Sequence, residues 1–328
     1  MHRREFITFF GGGAAANWAL AARAQQVERT RRIGILMNRA ENSQEAQDRI
    51  AAVLNGLRKL GWNIERDLKL EIRYSEDDRN LSRKYAAELI GLSLDLVLAS
   101  GTLNVTALQN AGYESPIVFA AVADPIGAGI VDSLARPGGN ATGFMLYEYN
   151  LSAKWLEILR QLVPTATRVG VVRNAANPAG IAFFSALQNA AQSVSAEAIS
   201  INVRSRDEVD RLIADFARVP KGALVVTQTA SLYRNEIIAG AARYKLPAVY
   251  GLRYDVAAGG LISYGPDVVD EFREAASYID RVLKGENPAE LPVQAPTKYQ
   301  LVINLKAAKA LGLSVPQTLL ASADEVVE

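Results

Sequence analysis

Ser100-Gly101-Thr102 closes the apolar run Asp95-Leu-Val-Leu-Ala and opens a helical pattern. Where a strand hands over to a helix, backbone N–H groups point outward and the helix dipole favours an anion. The hydroxyls of Ser100 and Thr102 add donors, so a carboxylate fits there without any basic side chain. The same residues serve equally as a plain N-cap. Asn38 and Asn174 each end another apolar run. Each suits a ligand hydrogen bond, and each suits the ordinary turn that follows a strand. Thr227-Gln228-Thr229 ends a further run and offers two hydroxyls and an amide. Asp124-Pro125 reads as a helix start, or as a carboxylate at a cleft edge that meets a ligand donor. Arg253 follows a run that ends at Tyr250. It suits bidentate grip on an anion, or solvation in a loop. Tyr147, Tyr250 and Tyr254 suit stacking on a planar ligand, or half-buried packing.

What is missing constrains the chemistry more. The chain has no cysteine and one histidine, His2, which falls in the leader expected to be removed, so the mature chain would have neither. Ser-His-Asp and Cys-His nucleophile systems, His/Cys zinc sites and iron–sulfur clusters are therefore excluded. An enzyme would have to use Asp, Glu, Lys or Tyr with perturbed pKa values, and no paired carboxylates stand at the strand ends. Gly127-Ala128-Gly129 lacks the third glycine of a dinucleotide fingerprint, and no Walker A sequence occurs. No cofactor and no metal are expected. A net charge of +1 gives no basic excess for nucleic acid or anionic lipid.

Residues 1–24 read as a signal peptide of the twin-arginine type. Arg3-Arg4 precede Phe6-Ile7, a Gly/Ala-rich apolar run follows, and Ala22-Arg23-Ala24 has the Ala-x-Ala pattern of a cleavage site. The general secretory route stays open. The run from Phe6 to Ala22 is shorter than the roughly 20 apolar residues of a spanning helix and is broken by glycines. The expectation is a protein exported to the periplasm and cut after Ala24. Without cysteine it would not be lipid-anchored.

The elements that must carry these residues are written twice. Arg32-Ile-Gly-Ile-Leu-Met-Asn38 matches Arg168-Val-Gly-Val-Val-Arg-Asn174. Asp95–Ser100 matches Gly222–Thr227, Pro116–Ala120 matches Pro247–Gly251, and Gly138–Phe144 matches Gly259–Tyr264. The order is kept while the spacing drifts, which implies two lobes of one topology. Each run is short, β-branched and apolar throughout, the mark of parallel strands covered on both faces. Helical stripes lie between them, such as Ile50, Val53, Leu54, Leu57 and Leu60 before Gly61. The fold class is α/β, with two doubly wound parallel-sheet lobes and a hinge. The expected first lobe is 25–146 plus 262–296, and the second is 147–261 plus 297–328. In such sheets ligands bind beyond the carboxyl ends of the strands, so both sets of ends should face one cleft.

Pro116–Gly129, Leu134–Gly143 and the tail Asn304-Leu-Lys-Ala-Ala-Lys-Ala-Leu-Gly-Leu313 resemble the substrate-binding proteins of ABC transporters. The similar subgroup includes binders of tryptophan and other aromatic amino acids. The resemblance covers nearly the whole chain after the leader. It implies the type I periplasmic-binding fold, a small molecule held between the lobes, and delivery to ABC permease subunits. A monomer is expected, and the charge balance gives no nucleic-acid partner. Amino-acid-binding relatives tend to carry acids where this chain has Thr229-Ala230 and Leu252-Arg253. The departure, with Arg253 present, argues for a carboxylate-bearing ligand, aromatic or amino-acid-like in its body, over a plain α-amino acid. A sensory binder of the same fold and an enzyme free of His and Cys are the alternative readings.

Overall fold

The computed structural model describes residues 30–146, 151–175, 177 and 179–328. The expected signal peptide and Tyr147 lie outside the described residues. Among the described residues twelve strands run in chain order: β1 (Arg31–Met37), β2 (Leu68–Tyr74), β3 (Leu96–Ser100), β4 (Ile117–Val122), β5 (Ala141–Met145), β6 (Arg168–Asn174), β7 (Glu197–Val203), β8 (Gly222–Val226), β9 (Ala248–Tyr250), β10 (Ile262–Pro266), β11 (Tyr299–Asn304) and β12 (Glu325–Val327). The helices are α1 (Gln44–Lys59), α2 (Arg79–Ile90), α3 (Thr102–Asn110), α4 (Leu151–Leu162), α5 (Ala179–Ser193), α6 (Arg206–Ala217), α7 (Arg234–Arg243), α8 (Arg253–Ala257), α9 (Val268–Leu283), α10 (Leu305–Ala310) and α11 (Gln317–Ala321). None of the described helices is long and apolar enough to cross a membrane.

The strands form two sheets. One has the order β2-β1-β3-β4-β5, and the other β12-β11-β10-β9-β8-β6-β7. The five strands β7-β6-β8-β9-β10 of the second sheet repeat the order of the first, all parallel. The four repeated sequence pairs therefore sit at equivalent sheet positions. β3 and β4 are buried at every residue, as their unbroken apolar runs require. β2 has one buried residue and sits at an edge.

Two expectations need correction. Residues 262–266 were placed with the first lobe, but β10 pairs with β9 in the second sheet. The break falls at Asp267, which caps α9 by accepting from the Asp270 N–H. The second sheet is also mixed. β11 runs antiparallel to β10, with Pro266 opposite Tyr299. The cause is the path of the chain. It leaves at the end of β10, builds α9 against the first sheet, and re-enters at the same end.

α9 belongs with the first lobe. Phe272, Ala276 and Ile279 join the buried cluster of Ile33, Ile35, Val53 and Leu57. Trp62 Nε1 donates to Asp280 Oδ1 at 2.9 Å. On the return path, Met145 N donates to Gln294 O, and Gln294 N donates to Gly143 O, both at 2.9 Å. The chain thus passes between the sheets at 266–268 and at 294–299, and Leu146 and Leu151 already belong to different lobes. α4 packs in the second lobe through Trp155, which lies 5.5 Å from the Phe183 ring and donates Nε1 to Tyr264 O.

Candidate functional site

The carboxyl ends of both sheets face one cavity. Asn38, Arg39, Arg49, Asp77, Gly101 and Thr102 line it from the first lobe, with Ala121, Ala123 and Leu146. Asn177, Gln228, Thr229 and Leu252 line it from the second. Its volume is about 30 Å³, room for roughly two waters. Anything larger must enter by parting the lobes.

In the first lobe the site is built on Asn38, at the end of β1. Its Oδ1 accepts from Ser100 Oγ at 2.6 Å and from Arg49 Nη1 at 3.1 Å. Gly101 caps α3 at φ 80°, and a Cβ there would lie 2.7 Å from Asn38 Nδ2. Glycine is thus required both for its backbone and for space. Thr102 starts α3 and donates its hydroxyl to Ala123 O at 3.3 Å. α3 has no side-chain cap, so its first N–H groups are free to meet an anion.

Behind this wall lies a buried ionic cluster. Arg49 is 1% exposed, sits 5.5 Å over the Phe272 ring, and reaches Glu45 at 3.3 Å. Burial, reinforced by nearby Arg39, lowers its guanidinium to about 10. Its Nε has no hydrogen-bond partner. Arg39 donates Nε to Glu45 Oε2 at 2.6 Å, Nη1 to Asn38 O, and Nη2 to Ser231 Oγ in the other lobe at 2.9 Å. Burial alone would raise the Glu45 carboxyl; Arg39, Arg49 and Arg234 overcome it and hold the group far below the usual carboxylate range.

In the second lobe, Gln228 opens the 3-10 turn Gln228–Tyr233. Its Nε2 donates to Gly251 O at 3.0 Å. A Cβ at Gly251 would lie 2.5 Å from the Gln228 side chain, so the amide rests on a glycine. Thr229 Oγ1 lies 2.8 Å from Thr227 Oγ1 and accepts from Asn174 N at 3.3 Å. Thr227 donates onward to Val172 O. Asn177 accepts from Ala179 N and so caps α5.

The sequence candidates therefore divide. Asn38, Gly101, Thr102, Gln228 and Thr229 reach the cavity. Ser100, Asn174 and Thr227 stand one layer behind and hold those that do. Arg253 is corrected: its side chain is 45% exposed and pairs with Glu325 at 2.7 Å, away from the cavity. It is the first residue of α8, whose inward side is taken by Asp255 and Val256. Tyr250 is a core residue of the second lobe, 2% exposed and off the cavity lining. Tyr254 donates its hydroxyl to Asp48 in the first lobe at 2.9 Å, so it bridges the lobes. Asp124 starts no helix. It sits at φ 45° in a turn, accepts from Gly127 N at 2.8 Å, and does not line the cavity. Arg39, Glu45, Arg49, Asp77 and Arg234 were not foreseen. The Glu45/Arg49 spacing of four on α1 was the available signal, and it reads the same as a surface pair.

The family model of the ABC transporter substrate-binding proteins matches residues 42–327. The chain belongs to this substrate-binding protein family. A tyrosine-binding protein of Clostridioides difficile (strain R20291) is 26% identical over 268 residues, covering 79% of this chain and 75% of that protein. An ABC domain in complex with L-Trp from Streptococcus pneumonia superposes with a TM-score of 0.84 at 24% identity, over 91% of this chain and 100% of that one. A conserved domain protein from Vibrio cholerae gives 0.85 at 23% identity, again over 91% and 100%. At that identity the two solved structures establish the fold: this substrate-binding protein has the type I periplasmic arrangement of two lobes.

Proposed function

We propose that this substrate-binding protein captures a small carboxylate-bearing ligand between its lobes, outside the cytoplasm, and delivers it to an ABC permease. The observation that carries this is the first-lobe wall of the cavity. The uncapped start of α3 at Gly101-Thr102 stands beside the buried guanidinium of Arg49. Helix N–H groups and an adjacent cation favour an anion, and a carboxylate has the size and acceptors for both. The aromatic amino acids named for the tyrosine-binding relative and the L-Trp complex carry such a group. With Arg253 away from the cleft, the sequence argument against a plain α-amino acid rests on the missing acids at Thr229-Ala230 and Leu252 alone. The leader at 1–24 fits export to the periplasm.

The mechanism is lobe closure. A ligand held on one side by Thr102 and on the other by Gln228 and Thr229 stabilises only the shut arrangement, and it shifts the population by that difference. Micromolar affinity, roughly −8 kcal/mol, is enough for scavenging. Mass spectrometry of ligand released from the purified protein, followed by calorimetry with that compound, tests the reading. A bound carboxylate supports it. A neutral sugar or an amine without a carboxylate sinks it.

A further inference from the structure

The charges on the cavity lining lean toward the cation. Arg39 and Arg49 both stand on it, and Asp77 is its one acid among the described residues. Asp77 is already engaged: the Asn38 side chain hydrogen-bonds it, and Arg39 and Arg49 act on its charge. The neighbouring acids are engaged as well. Glu45 meets Arg39, Arg49 and Arg234. Asp255 meets Arg234 and the Leu252 N–H, and Asp124 meets the Gly127 N–H. Glu271 stands off the lining and accepts from Ala121 N. Among the described residues of the lining, two buried side-chain atoms have no hydrogen-bond partner, Arg49 Nε and Gln228 Oε1. The first is a donor on a cation. The second is a neutral acceptor, and its orientation is fixed because Nε2 is spent on Gly251 O at 3.0 Å.

We propose that the ligand is an α-hydroxy acid whose hydroxyl donates to Gln228 Oε1, and that the cleft excludes the ammonium group of an amino acid. This rests on the carboxylate reading and narrows it: the carboxylate sits at the start of α3 beside Arg49, and the group next to it is neutral. An ammonium group carries three N–H donors and a full charge. Here it would meet two guanidinium groups and one neutral oxygen, with no carboxylate free to answer it. A buried charge without a counter-ion is costly. A hydroxyl carries one donor and two acceptor lone pairs. Its proton suits Gln228 Oε1, and its lone pairs suit the guanidinium side of the cavity. Gln228 belongs to the second lobe, whereas Arg49 and Gly101-Thr102 belong to the first. The cavity between them has a volume of about 30 Å³, so the hydroxyl must lie close to the carboxylate. A buried acceptor without a partner is itself costly, and a ligand hydroxyl relieves that cost only when the lobes are shut. The hydroxyl thus couples recognition to closure. This chain thereby parts from the relatives named for tyrosine and L-Trp: the carboxylate is shared and its neighbour is not.

The test is calorimetric titration of the wild type and Gln228→Leu with matched series that differ only beside the carboxylate. One series is L-lactate, L-alanine and propionate. A second is α-hydroxyisocaproate, L-leucine and isocaproate. A third is 3-(4-hydroxyphenyl)lactate, L-tyrosine and 3-(4-hydroxyphenyl)propionate. The matching diols, with CH2OH in place of the carboxylate, complete each series. In the series whose body fits, the hydroxy acid is expected to bind about tenfold or more tightly than both its amino and its deoxy partner. Gln228→Leu should remove most of that advantage over the deoxy acid, and a thermal melt checks that the variant folds. An amino acid that binds as tightly as its hydroxy partner overturns this inference and leaves the carboxylate reading standing. So does a deoxy acid that matches the hydroxy acid in the wild type, or a Gln228→Leu variant that folds and keeps the full hydroxyl advantage. A diol that binds as tightly as the hydroxy acid would sink the carboxylate reading and keep the hydroxyl contact. No binding of any probe overturns both.

Discussion

Arg234 Nη1 lies 2.5 Å from Glu45 Oε1, and the two residues belong to different lobes. Arg234 starts α7 and also reaches Asp255 in its own lobe at 2.5 Å. Glu45 sits in the first turn of α1 and already holds Arg39 and Arg49. One carboxylate therefore serves two functions: it neutralises its own lobe, and it grips the other. Burial works against the Arg234 cation, yet Asp255 and Glu45 overcome it and hold the guanidinium above its usual value. Arg39–Ser231 and Tyr254–Asp48 cross the same gap. When the lobes part, Glu45 keeps its own two arginines and Arg234 keeps Asp255. Opening thus exposes no unpaired charge, which is what a reversible hinge requires.

If this pair helps to hold the lobes shut, its removal should open the ligand-free protein. Arg234→Met combined with Asp255→Asn deletes the cross-lobe contact and leaves no lone charge in the second lobe. Asparagine still accepts from Leu252 N, as Asp255 does at 3.1 Å. Small-angle scattering should show a larger radius of gyration than the wild type, and ligand affinity should fall about three- to tenfold. An unchanged envelope would show that the ion pair follows closure and does not favour it.

Gly101→Ala tests the first-lobe wall. The added methyl meets Asn38 Nδ2 at 2.7 Å, and alanine must adopt φ 80°. The expected loss is about 1–3 kcal/mol of stability, with ligand affinity down tenfold or more as Asn38 and the start of α3 separate. Calorimetry beside a urea melt separates the two effects. Binding at wild-type strength would place the ligand away from this turn.

Arg253→Ala should do almost nothing. Both partners of its pair with Glu325 are 45% exposed, and such pairs are worth about 0–1 kcal/mol. Melting and affinity should stay near wild type. A tenfold loss of binding would return Arg253 to the cleft.

The repeated strand runs made the architecture legible, because a fully buried parallel strand has an unbroken apolar sequence. β2 and β7 escaped for the opposite reason. Leu68–Tyr74 reads LKLEIRY, half polar at a sheet edge, and Glu197–Val203 has only two buried residues. The cavity lining was readable where it hangs directly on a strand end, as at Asn38, Gly101, Thr102, Gln228 and Thr229. It was unreadable where it depends on long-range approach. Asp77 lies past the unrecognised β2, and Arg234 meets Glu45 across the gap between lobes. Arg253 misled because one step along a short helix turns a side chain from the cleft to solvent.

Glu271 gives a prediction with a pH axis. It sits on α9 behind the cavity wall, 5% exposed, and Oε2 accepts from Ala121 N at 3.2 Å. Oε1 is buried without a partner. Burial pushes its carboxyl well above the usual value; Arg49 and the Ala121 N–H oppose this, and Asp267 and Asp270 reinforce it. An acid whose folded pKa is raised contributes stability that is complete below its unfolded pKa, about 4.3. That contribution is lost as pH rises through the folded value. Glu271→Gln keeps an acceptor for Ala121 N and removes the ionisation. The variant should therefore melt higher than wild type at pH 8, and the gap should shrink as pH falls and close near pH 4. Groups common to both proteins cancel in the difference. Thermal melts of the pair across pH 4–8 provide the check. A wild type that melts higher at pH 8 would mean that Arg49 makes the ionised Glu271 a net stabiliser of the wall.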